Sequence, residues 1–553
     1  MSEQPRPVTA LTVVGVLTLL VYAGTLTSGY ALDDLPIIVN NFRVHALLPP
    51  WTYFTQTYWP PEILTALYRP VTILGFALQW NAAGGAAWLF HAVSVALYFA
   101  IVLQVTRLAR EVLPPAVALA VGALFAVHPV HVEPVANVVM QSELLVALAA
   151  VSAVLRFVRA RRRGTFTGRD AAVIALLYFV SCFSKEHGIM LPALLLAVEF
   201  TVVADPRPLR LRLGLLAPLG RPLAIVGAGF LVARTVVLGG LAGDTANIAI
   251  RDVGSINRII TMLGVVPHWF RLLLAPWHLQ ADYMPRELDL ATALGIMQYL
   301  GIALLVAATG TAWWARRRCP VLAFGLLWCG IALFPVSNLL LPTGILLAER
   351  ILLTPSVGAM LAVGGAAVLL LERLGRPGGH LGSCAFAVVA VLVLLGGARS
   401  VVRTRDWLDD DTIVPRTVID APRSYKARWD HARMLLRLGP PAAGAAEYRK
   451  ALELFPRDAR VLSEYADLRR LGGACGDAIP LYREAVRIAP GAWVSRTKLA
   501  LCLAATGDLV GARAQAAELS NWPEADAARL RTQIESMARR PAVPVSPRAS
   551  NRP

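Results

Sequence analysis

The stretch VTALTVVGVLTLLVYAGTLTSGYALDDLPIIVNN, from Val8 to Asn41, determines the class of fold. It is apolar up to about position 27, and about 20 apolar residues suffice to cross a bilayer as one helix. No convincing small-residue cleavage site follows this run, so we expect it to be retained as an anchor. Two adjacent carboxylates, Asp33 and Asp34, stand where it leaves the membrane. This placement predicts chemistry at the lipid boundary.

The rest of the chain repeats the apolar pattern. Hydrophobic residues make up 56% of the 553 residues, more than a soluble protein of this length could bury. Candidate spans lie at about 8–27, 86–106, 115–127, 139–157, 171–183, 188–204, 221–238, 292–314, 320–336, 347–371 and 381–397. The sequence therefore predicts an all-α, polytopic membrane domain over residues 1–400, with about eleven transmembrane helices.

Arginines cluster in alternate short loops between these spans. They are Arg107 and Arg110; Arg159, Arg161, Arg162 and Arg163; Arg207, Arg210 and Arg212; Arg316, Arg317 and Arg318; and Arg373 and Arg376. Cytoplasmic loops carry such an excess of positive charge. The net charge of +17 is therefore explained by the positive-inside pattern and does not indicate nucleic-acid binding. This pattern places these loops and the N-terminus in the cytoplasm.

The unusual polar segments then share the non-cytoplasmic face. They are Asp33-Asp34 and the residues 128–137, 184–187 and 337–350. The stretch 257–275 carries His268 and Arg271 in an apolar pattern. If it crossed the membrane, the arginines 316–318 would lie on the non-cytoplasmic side, against the positive-inside pattern. We therefore predict that it is interfacial or re-entrant. An odd number of crossings then leaves the C-terminal region on the non-cytoplasmic side as well.

The C-terminal region repeats with a period of 34 residues. Equivalent positions are Pro422, Pro456 and Pro490; Gly439, Gly473 and Gly507; Gly444, Ala478 and Ala512; Tyr448 and Tyr482; and Ala451 and Ala485. This register is typical of tetratricopeptide helix pairs. We predict a repeat domain of about three repeats over residues 401–540, whose groove holds a protein, and a disordered tail at 541–553.

Ionisable side chains beside membrane spans are functional candidates, because they cost several kcal/mol unless they are paired or hydrated. Asp33 or Asp34 could accept a proton from a hydroxyl nucleophile, or could merely cap a helix. His128 and His131 have the offset of two metal ligands on one helix, but the intervening prolines make a continuous helix, and so a metal site, the weaker interpretation.

Cations near the outer lipid headgroups suggest phosphate binding. Lys185 would lie close to the headgroups, although Lys185 and Glu186 could also form a turn that snorkels to the interface. The segment ending in Glu349-Arg350 supplies a planar guanidinium that fits phosphate oxygens at the mouth of a span. No glycine-rich loop of the kind that binds nucleotide phosphates follows a strand.

Taken together, these motifs resemble the transmembrane and tetratricopeptide repeat-containing O-mannosyltransferases of the GT-C superfamily. The resemblance covers nearly the whole chain and includes Asp33-Asp34 with Asn40, Tyr68-Arg69-Pro70, HPVHVEPVA from His128, Lys185-Glu186-His187-Gly188, Pro276-Trp277, Asp282-Tyr283, LPTGILLAER ending at Arg350, and Pro355-Ser356. The chain departs from the family pattern at Gln141-Ser142-Glu143, where the family usually has an arginine followed by a small residue and an acid. Its alanine- and arginine-rich composition resembles that of a bacterial relative.

The resemblance implies transfer of a mannose-like sugar from a polyprenyl-phosphate carrier to a serine or threonine of a protein, with inversion. Asp33 or Asp34 would be the base. The departing lipid phosphate would be bound by Lys185, Arg350, Arg271 and His268, while the acceptor site or its structural support would contain His128, His131, Glu133, Glu186, Glu349 and Arg69. We expect no cofactor beyond the lipid-linked donor, and the need for a divalent metal stays open.

Three alternatives remain, together with the choice of membrane. The chain could be a non-catalytic scaffold whose repeats bind a client protein, a GT-C enzyme with a lipid or glycan acceptor, or, less well supported, a transporter. A bacterial protein would place the repeats on the periplasmic or extracellular face of the inner membrane. A eukaryotic one would occupy the endoplasmic reticulum membrane.

Overall fold

The computed structural model describes residues 7–60, 67–240, 253–284, 287–339, 342–343, 345–374, 379–522 and 525–539. These residues form helices and loops, as expected for an all-α protein. The chain divides into two compact units, Met1–Ala421 (unit 1) and Pro422–Pro553 (unit 2). We predicted the repeat domain from residue 401, whereas the helix ending at Asp420 groups with unit 1. The predicted tail at 541–553 lies outside the described residues.

Unit 1 contains the long apolar helices and several short polar ones. In chain order among the described residues, they are α1 (Pro7–Tyr22), α2 (Phe42–His45), α3 (Pro50–Tyr53), α4 (Pro70–Ala83), α5 (Ala87–Val112), α6 (Pro115–Ala126), α7 (Val132–Ala136), α8 (Gln141–Arg162), α9 (Gly168–Ser184), α10 (Leu191–Thr201), α11 (Leu209–Leu215), α12 (Ala217–Leu238), α13 (Ser255–Leu274), α14 (Ile296–Arg318), α15 (Pro320–Leu333), α16 (Leu353–Arg373), α17 (Gly379–Asp406) and α18 (Asp410–Asp420).

Seven helical segments of the described residues are long and apolar enough to cross a membrane, or eight if the bent pair Pro115–Ala126 and Pro129–Ala136 counts as one span. The chain is thus a multi-pass membrane protein, but the predicted count of eleven spans is not confirmed. Helices α9, α10 and α15 are apolar but short. At about 1.5 Å per residue, the 11 residues of α10 rise only about half of a hydrocarbon core of roughly 30 Å.

The spans differ in how deeply the protein buries them. In the span Val138–Arg162, which contains α8, 83% of the apolar window is buried, whereas the windows of α14 and α17 are 11% and 6% buried. Helix α8 therefore lies at the centre of unit 1, and α14 and α17 present their side chains to lipid. Glycines bring α15 and α16 together, since a Cβ on Gly325 would lie 2.5 Å from the Gly358 carbonyl oxygen.

Helix α13 covers the segment predicted to be interfacial or re-entrant. Its buried side chains, including Met262, Val266, Trp269 and Leu273, recur at helical spacing on one face. The helix is not among the candidate spans. Its interfacial placement stays a prediction, which an amphipathic pattern of this kind favours.

Unit 2 consists of consecutive helices that pack in chain order: α19 (Tyr425–Leu438), α20 (Pro441–Leu454), α21 (Ala459–Leu471), α22 (Cys475–Ile488), α23 (Trp493–Ala505), α24 (Leu509–Glu518) and α25 (Ala527–Ala538). Contacts recur with the sequence period. Arg428 bonds the Pro422 carbonyl and Glu447, while Arg496, two periods later, bonds the Pro490 carbonyl and Gln515. The assignment of these helices to tetratricopeptide repeats stays a prediction.

Candidate functional site

The two adjacent carboxylates after α1 have different surroundings. Asp34 is buried, and its carboxylate accepts hydrogen bonds from the backbone N–H groups of Ala31 (3.1 Å) and Val139 (2.8 Å). Burial raises the pKa of Asp34 to about 7, although both hydrogen bonds oppose the shift. Asp34 therefore fastens the loop to the segment that begins α8. Asp33 is half-buried, and within the described part of the chain its carboxylate makes no hydrogen bond.

Side chains from distant parts of unit 1 meet near Asp33. We define the polar cluster as Asp33, Tyr58, Arg69, Glu133, Glu143, Lys185, Glu186, His187, Arg234 and Arg350. Its members are joined by ion pairs, by a ring contact or by electrostatic interactions between neighbours. Nine of them lie at the ends of helices or in the turns between helices. Arg234 lies inside a helix, about one turn before the end of α12.

Glu186 joins two arginines in the polar cluster. Its carboxylate lies 3.0 Å from Arg69 and 3.3 Å from Arg234. Burial alone would raise the pKa of Glu186, yet the two guanidinium groups hold it down at about 2. The guanidinium of Arg69 also stacks over the Tyr58 ring, 4.9 Å from its centre. These contacts hold together three parts of unit 1: the loop before α4, the turn after α9, and helix α12.

Glu143 holds Lys185 and His187. It lies in the first turn of α8, with one oxygen paired to the Lys185 ammonium and the other 3.2 Å from Nε2 of His187. The turn after α9 folds back tightly because residue 188 is glycine. A Cβ there would lie 2.4 Å from the backbone of Ser181. Lys185 is therefore not a free surface cation but one that a buried carboxylate fixes in place.

Arg350 is held by Glu133. Oε2 of Glu133 accepts the Arg350 backbone N–H at 2.9 Å, and Oε1 pairs with its guanidinium. Arg350 also interacts electrostatically with Asp33 and Lys185. The structure therefore brings six of the predicted site residues into one cluster: Asp33, Arg69, Glu133, Lys185, Glu186 and Arg350.

The two predicted histidines make hydrogen bonds within the protein. One ring nitrogen of His131 lies 2.7 Å from the Tyr98 hydroxyl and the other 2.7 Å from the Ser356 hydroxyl. Nε2 of His128 lies 3.1 Å from the Leu273 carbonyl oxygen. Among the described residues, no group of three or more His, Cys, Asp or Glu is arranged to hold a metal ion. Both histidines are thus hydrogen-bonded within the protein, and their role in the acceptor site or in its structural support stays a prediction.

Glu349, Arg271 and His268 belong to a neighbouring group. Glu349 accepts hydrogen bonds from the Gln280 N–H and, at 3.0 Å, from the Tyr283 hydroxyl, and burial raises its pKa to about 8. Arg271 donates to the His278 carbonyl at 3.0 Å, and the nearby His268 is half-buried. No hydrogen bond or ion pair among the described residues joins Arg271 or His268 to the polar cluster.

Sequence reasoning missed four members of the polar cluster as site residues. Arg234 carried a usable signal, because it is a cation inside the long apolar run of α12 and such residues face a bundle interior. Glu143 was noticed only as part of a departure from a family pattern. His187 was noticed only as part of the motif Lys185-Glu186-His187-Gly188. Tyr58 carried no signal that separates it from the neighbouring aromatic residues, since its contacts depend on the fold.

Unit 1 thus defines a class of protein: a multi-pass membrane protein with a network of paired charges at the ends of its helices. Matches to known sequences narrow this class. The chain is 26% identical to the human protein O-mannosyl-transferase TMTC4 over 80% of its own length, and 24% identical to human TMTC1 over 84%. It is 29% identical to Drosophila melanogaster Tmtc2 over 55% of its length.

The chain is therefore a distant homologue of the TMTC proteins, and the resemblance inferred from the motifs is confirmed. It spans 66% of the length of human TMTC4 and 57% of that of human TMTC1. No protein-family model matches the chain. Among solved structures, the oligosaccharyltransferase of Archaeoglobus fulgidus in its apo form aligns with a TM-score of 0.42 and 14% identity, over 82% of this chain and 60% of that one.

Proposed function

We propose that this protein is an integral membrane glycosyltransferase of the GT-C kind. It moves a mannose-like sugar from a polyprenyl-phosphate carrier to a serine or threonine hydroxyl of a protein on the non-cytoplasmic face, with inversion. The relation to the TMTC protein O-mannosyl-transferases supports this class of reaction. The observation that carries the proposal is the contrast between the two adjacent carboxylates, of which one is locked and the other is available.

Asp33 is the base of this proposal. Asp34 already accepts two backbone hydrogen bonds and is fully buried, so it cannot reach a substrate hydroxyl. Asp33 is partly accessible and interacts electrostatically with Arg350. A general base must come within hydrogen-bond reach of the proton that it removes, and of these two carboxylates only that of Asp33 can do so. Asp34 acts as a positioning residue that fixes the loop.

The proposed reaction is a single displacement. The acceptor hydroxyl transfers its proton to the Asp33 carboxylate as its oxygen bonds to the anomeric carbon. The bond from that carbon to the phosphate oxygen breaks, and its electron pair leaves with the lipid phosphate. Lys185 and Arg350 stabilise the negative charge on the phosphate, which is the kind of electrostatic term that usually dominates such rates.

Unit 2 would supply the acceptor. Stacked helix pairs of the tetratricopeptide type form a groove that binds an extended peptide, so we propose that unit 2 presents the protein acceptor or a partner. The arginine distribution supports a non-cytoplasmic location for this unit. In a bacterium this is the periplasmic or extracellular side of the inner membrane.

Transfer of radiolabelled sugar from membrane lipid-linked donors to protein tests the proposal. We expect Asp33→Asn to abolish transfer, and Asp34→Asn to lower it while leaving measurable activity, with both variants inserted equally. Label that is lost in Asp34→Asn and kept in Asp33→Asn would overturn the assignment of the base. Label absent from every sample across several donors would favour a non-catalytic scaffold.

A further inference from the structure

A small cavity lies beside the polar cluster and has no role in the proposed transfer. It encloses about 240 Å³ and is lined by Trp277, His278, Leu279, Gln280, Arg399, Arg416 and Asp420. All of these residues belong to unit 1. Ligand pockets for small molecules are usually about 300–1,000 Å³, so this cavity suits a single small group rather than a whole sugar chain.

The two arginines of the cavity differ in their partners. Arg416 is paired with Asp420 at 2.7 Å, and Asp420 also binds the buried Arg403 at 3.1 Å, so its charge is already compensated. Arg399 donates through Nε to the Trp277 carbonyl at 3.2 Å. Among the described residues, no carboxylate pairs with Arg399. Its two terminal amino groups therefore remain able to bind an anion.

The charges around the cavity do not cancel that of Arg399. Arg403 lies close to Asp406 and Asp420, and Arg271 donates to the His278 carbonyl. The Glu349 carboxyl accepts a hydrogen bond from the Gln280 N–H, and burial raises its pKa. Glu287 is hydrogen-bonded to the Gln280 side chain. Arg399 interacts electrostatically with Arg403, Asp406, Glu349 and Asp420, and the net effect of burial and these charges lowers its pKa. None of the carboxylates among the described residues forms an ion pair with it, so its guanidinium keeps a fork that matches phosphate oxygens.

The surroundings of the cavity are those of a membrane surface. Arg399 lies about one turn beyond Leu394 and Leu395, exposed side chains of the lipid-facing helix α17. The indole of Trp277 is 53% exposed and follows the exposed Leu274 at the end of α13. Tryptophan and arginine at the ends of apolar helices occupy the headgroup region of a bilayer. The cavity thus opens where lipid phosphates are concentrated.

We infer that this cavity binds the phosphate ester of an anionic membrane lipid headgroup through Arg399, with Trp277 at the lipid interface. The site is distinct from the polar cluster, because Arg399 has no contact with the cluster among the described residues. It is also close to it, because Gln280 of the cavity bonds Glu349, the neighbour of Arg350 in the chain. A bound headgroup would hold the loop 275–283 against α17.

Binding of phosphatidylglycerol to the purified full-length protein in detergent, measured by native mass spectrometry, tests this inference. We expect saturable binding of one lipid that Arg399→Gln weakens by about tenfold, as the loss of one charge-assisted contact does. The matched control is Arg316→Gln, which alters an arginine at the end of another lipid-facing helix, stacked on Trp313. It should leave this affinity unchanged.

Two competitors separate the sources of the ligand. Diacylglycerol, which lacks the phosphate, should not displace phosphatidylglycerol, and inorganic phosphate at equal concentration should not displace it either. Displacement by inorganic phosphate at that concentration would assign the cavity to a soluble anion and overturn the inference. Equal weakening by Arg399→Gln and Arg316→Gln, or the same affinity in Arg399→Gln as in the wild type, would also overturn it.

Discussion

Replacing Glu186 with glutamine should destabilise unit 1, because Arg69 and Arg234 would lose the carboxylate between them. The pKa of Glu186 falls from 4.5 to about 2, and each unit corresponds to about 1.4 kcal/mol. The side chain is 26% exposed, which reduces the value somewhat. We therefore expect a loss of about 2–3 kcal/mol in the free energy of unfolding, somewhat less than for a fully buried pair.

The ion pairs of Glu186 also make the stability of the wild type depend on pH, with a sign that follows from the pKa shift. Because the folded pKa lies below the ordinary value, the stabilisation is present above about pH 4.5 and disappears as the pH falls toward 2. Unfolding by sodium dodecyl sulfate in mixed micelles, followed by tryptophan fluorescence at pH 7, measures the change. Glu535→Gln, which breaks an exposed pair with Arg513, is the matched control and should leave the midpoint unchanged.

A Glu186→Gln protein as stable as the wild type would refute this reasoning. The two arginines would then be held by solvent or by other groups, and the polar cluster could not be a rigid structure. A large loss in Glu535→Gln would also count against it, because exposed pairs contribute little.

Three further predictions concern Asp34, Gly358 and Arg350. Because burial raises the folded pKa of Asp34 from 3.8 to about 7, the wild-type free energy of unfolding should fall as the pH rises from about 4 to 7. Glu349, whose pKa burial raises to about 8, contributes in the same direction, so Asp34→Asn should lessen this slope without removing it, and an unchanged slope would refute the reasoning. Gly358→Ala should destabilise unit 1 by about 1–3 kcal/mol, since its Cβ would meet the Gly325 carbonyl oxygen at 2.5 Å, whereas Gly229→Ala, with open space, should not. Arg350→Ala should slow sugar transfer about a hundredfold or more at equal insertion, and full activity would remove its role.

The sequence predicted the membrane class and the polar ends of the helices, because both depend on local composition. Apolar runs and arginine-rich loops are visible without a fold. The number of spans was not predictable in the same way. A short apolar run such as α10, with 11 residues, has the composition of a span but not the length, and hydropathy alone does not separate a short buried helix from a crossing.

The pairing of charges could not be predicted, because it depends on contacts between distant parts of the chain. Arg69 and Glu186 are separated by 117 positions, and Arg350 and Glu133 by 217. Periodicity in the sequence reports on residues that are neighbours along one helix, so it could only suggest that Lys185 and Glu186 form a local turn. In the structure these adjacent residues have different partners, Glu143 and Arg69. The catalytic and phosphate-binding roles of the cluster stay predictions.

The pairing itself explains how a cluster of compensated charges can still bind a phosphate. Arg350 uses its backbone N–H and one terminal amino group on Glu133, which leaves other guanidinium donors without a hydrogen bond among the described residues. Lys185 has three donors and uses one on Glu143. The acids therefore fix the positions of the cations without exhausting their donors. Donors held in place before the reaction need no reorganisation when charge develops on a leaving group, and this is the condition under which electrostatic stabilisation is strongest.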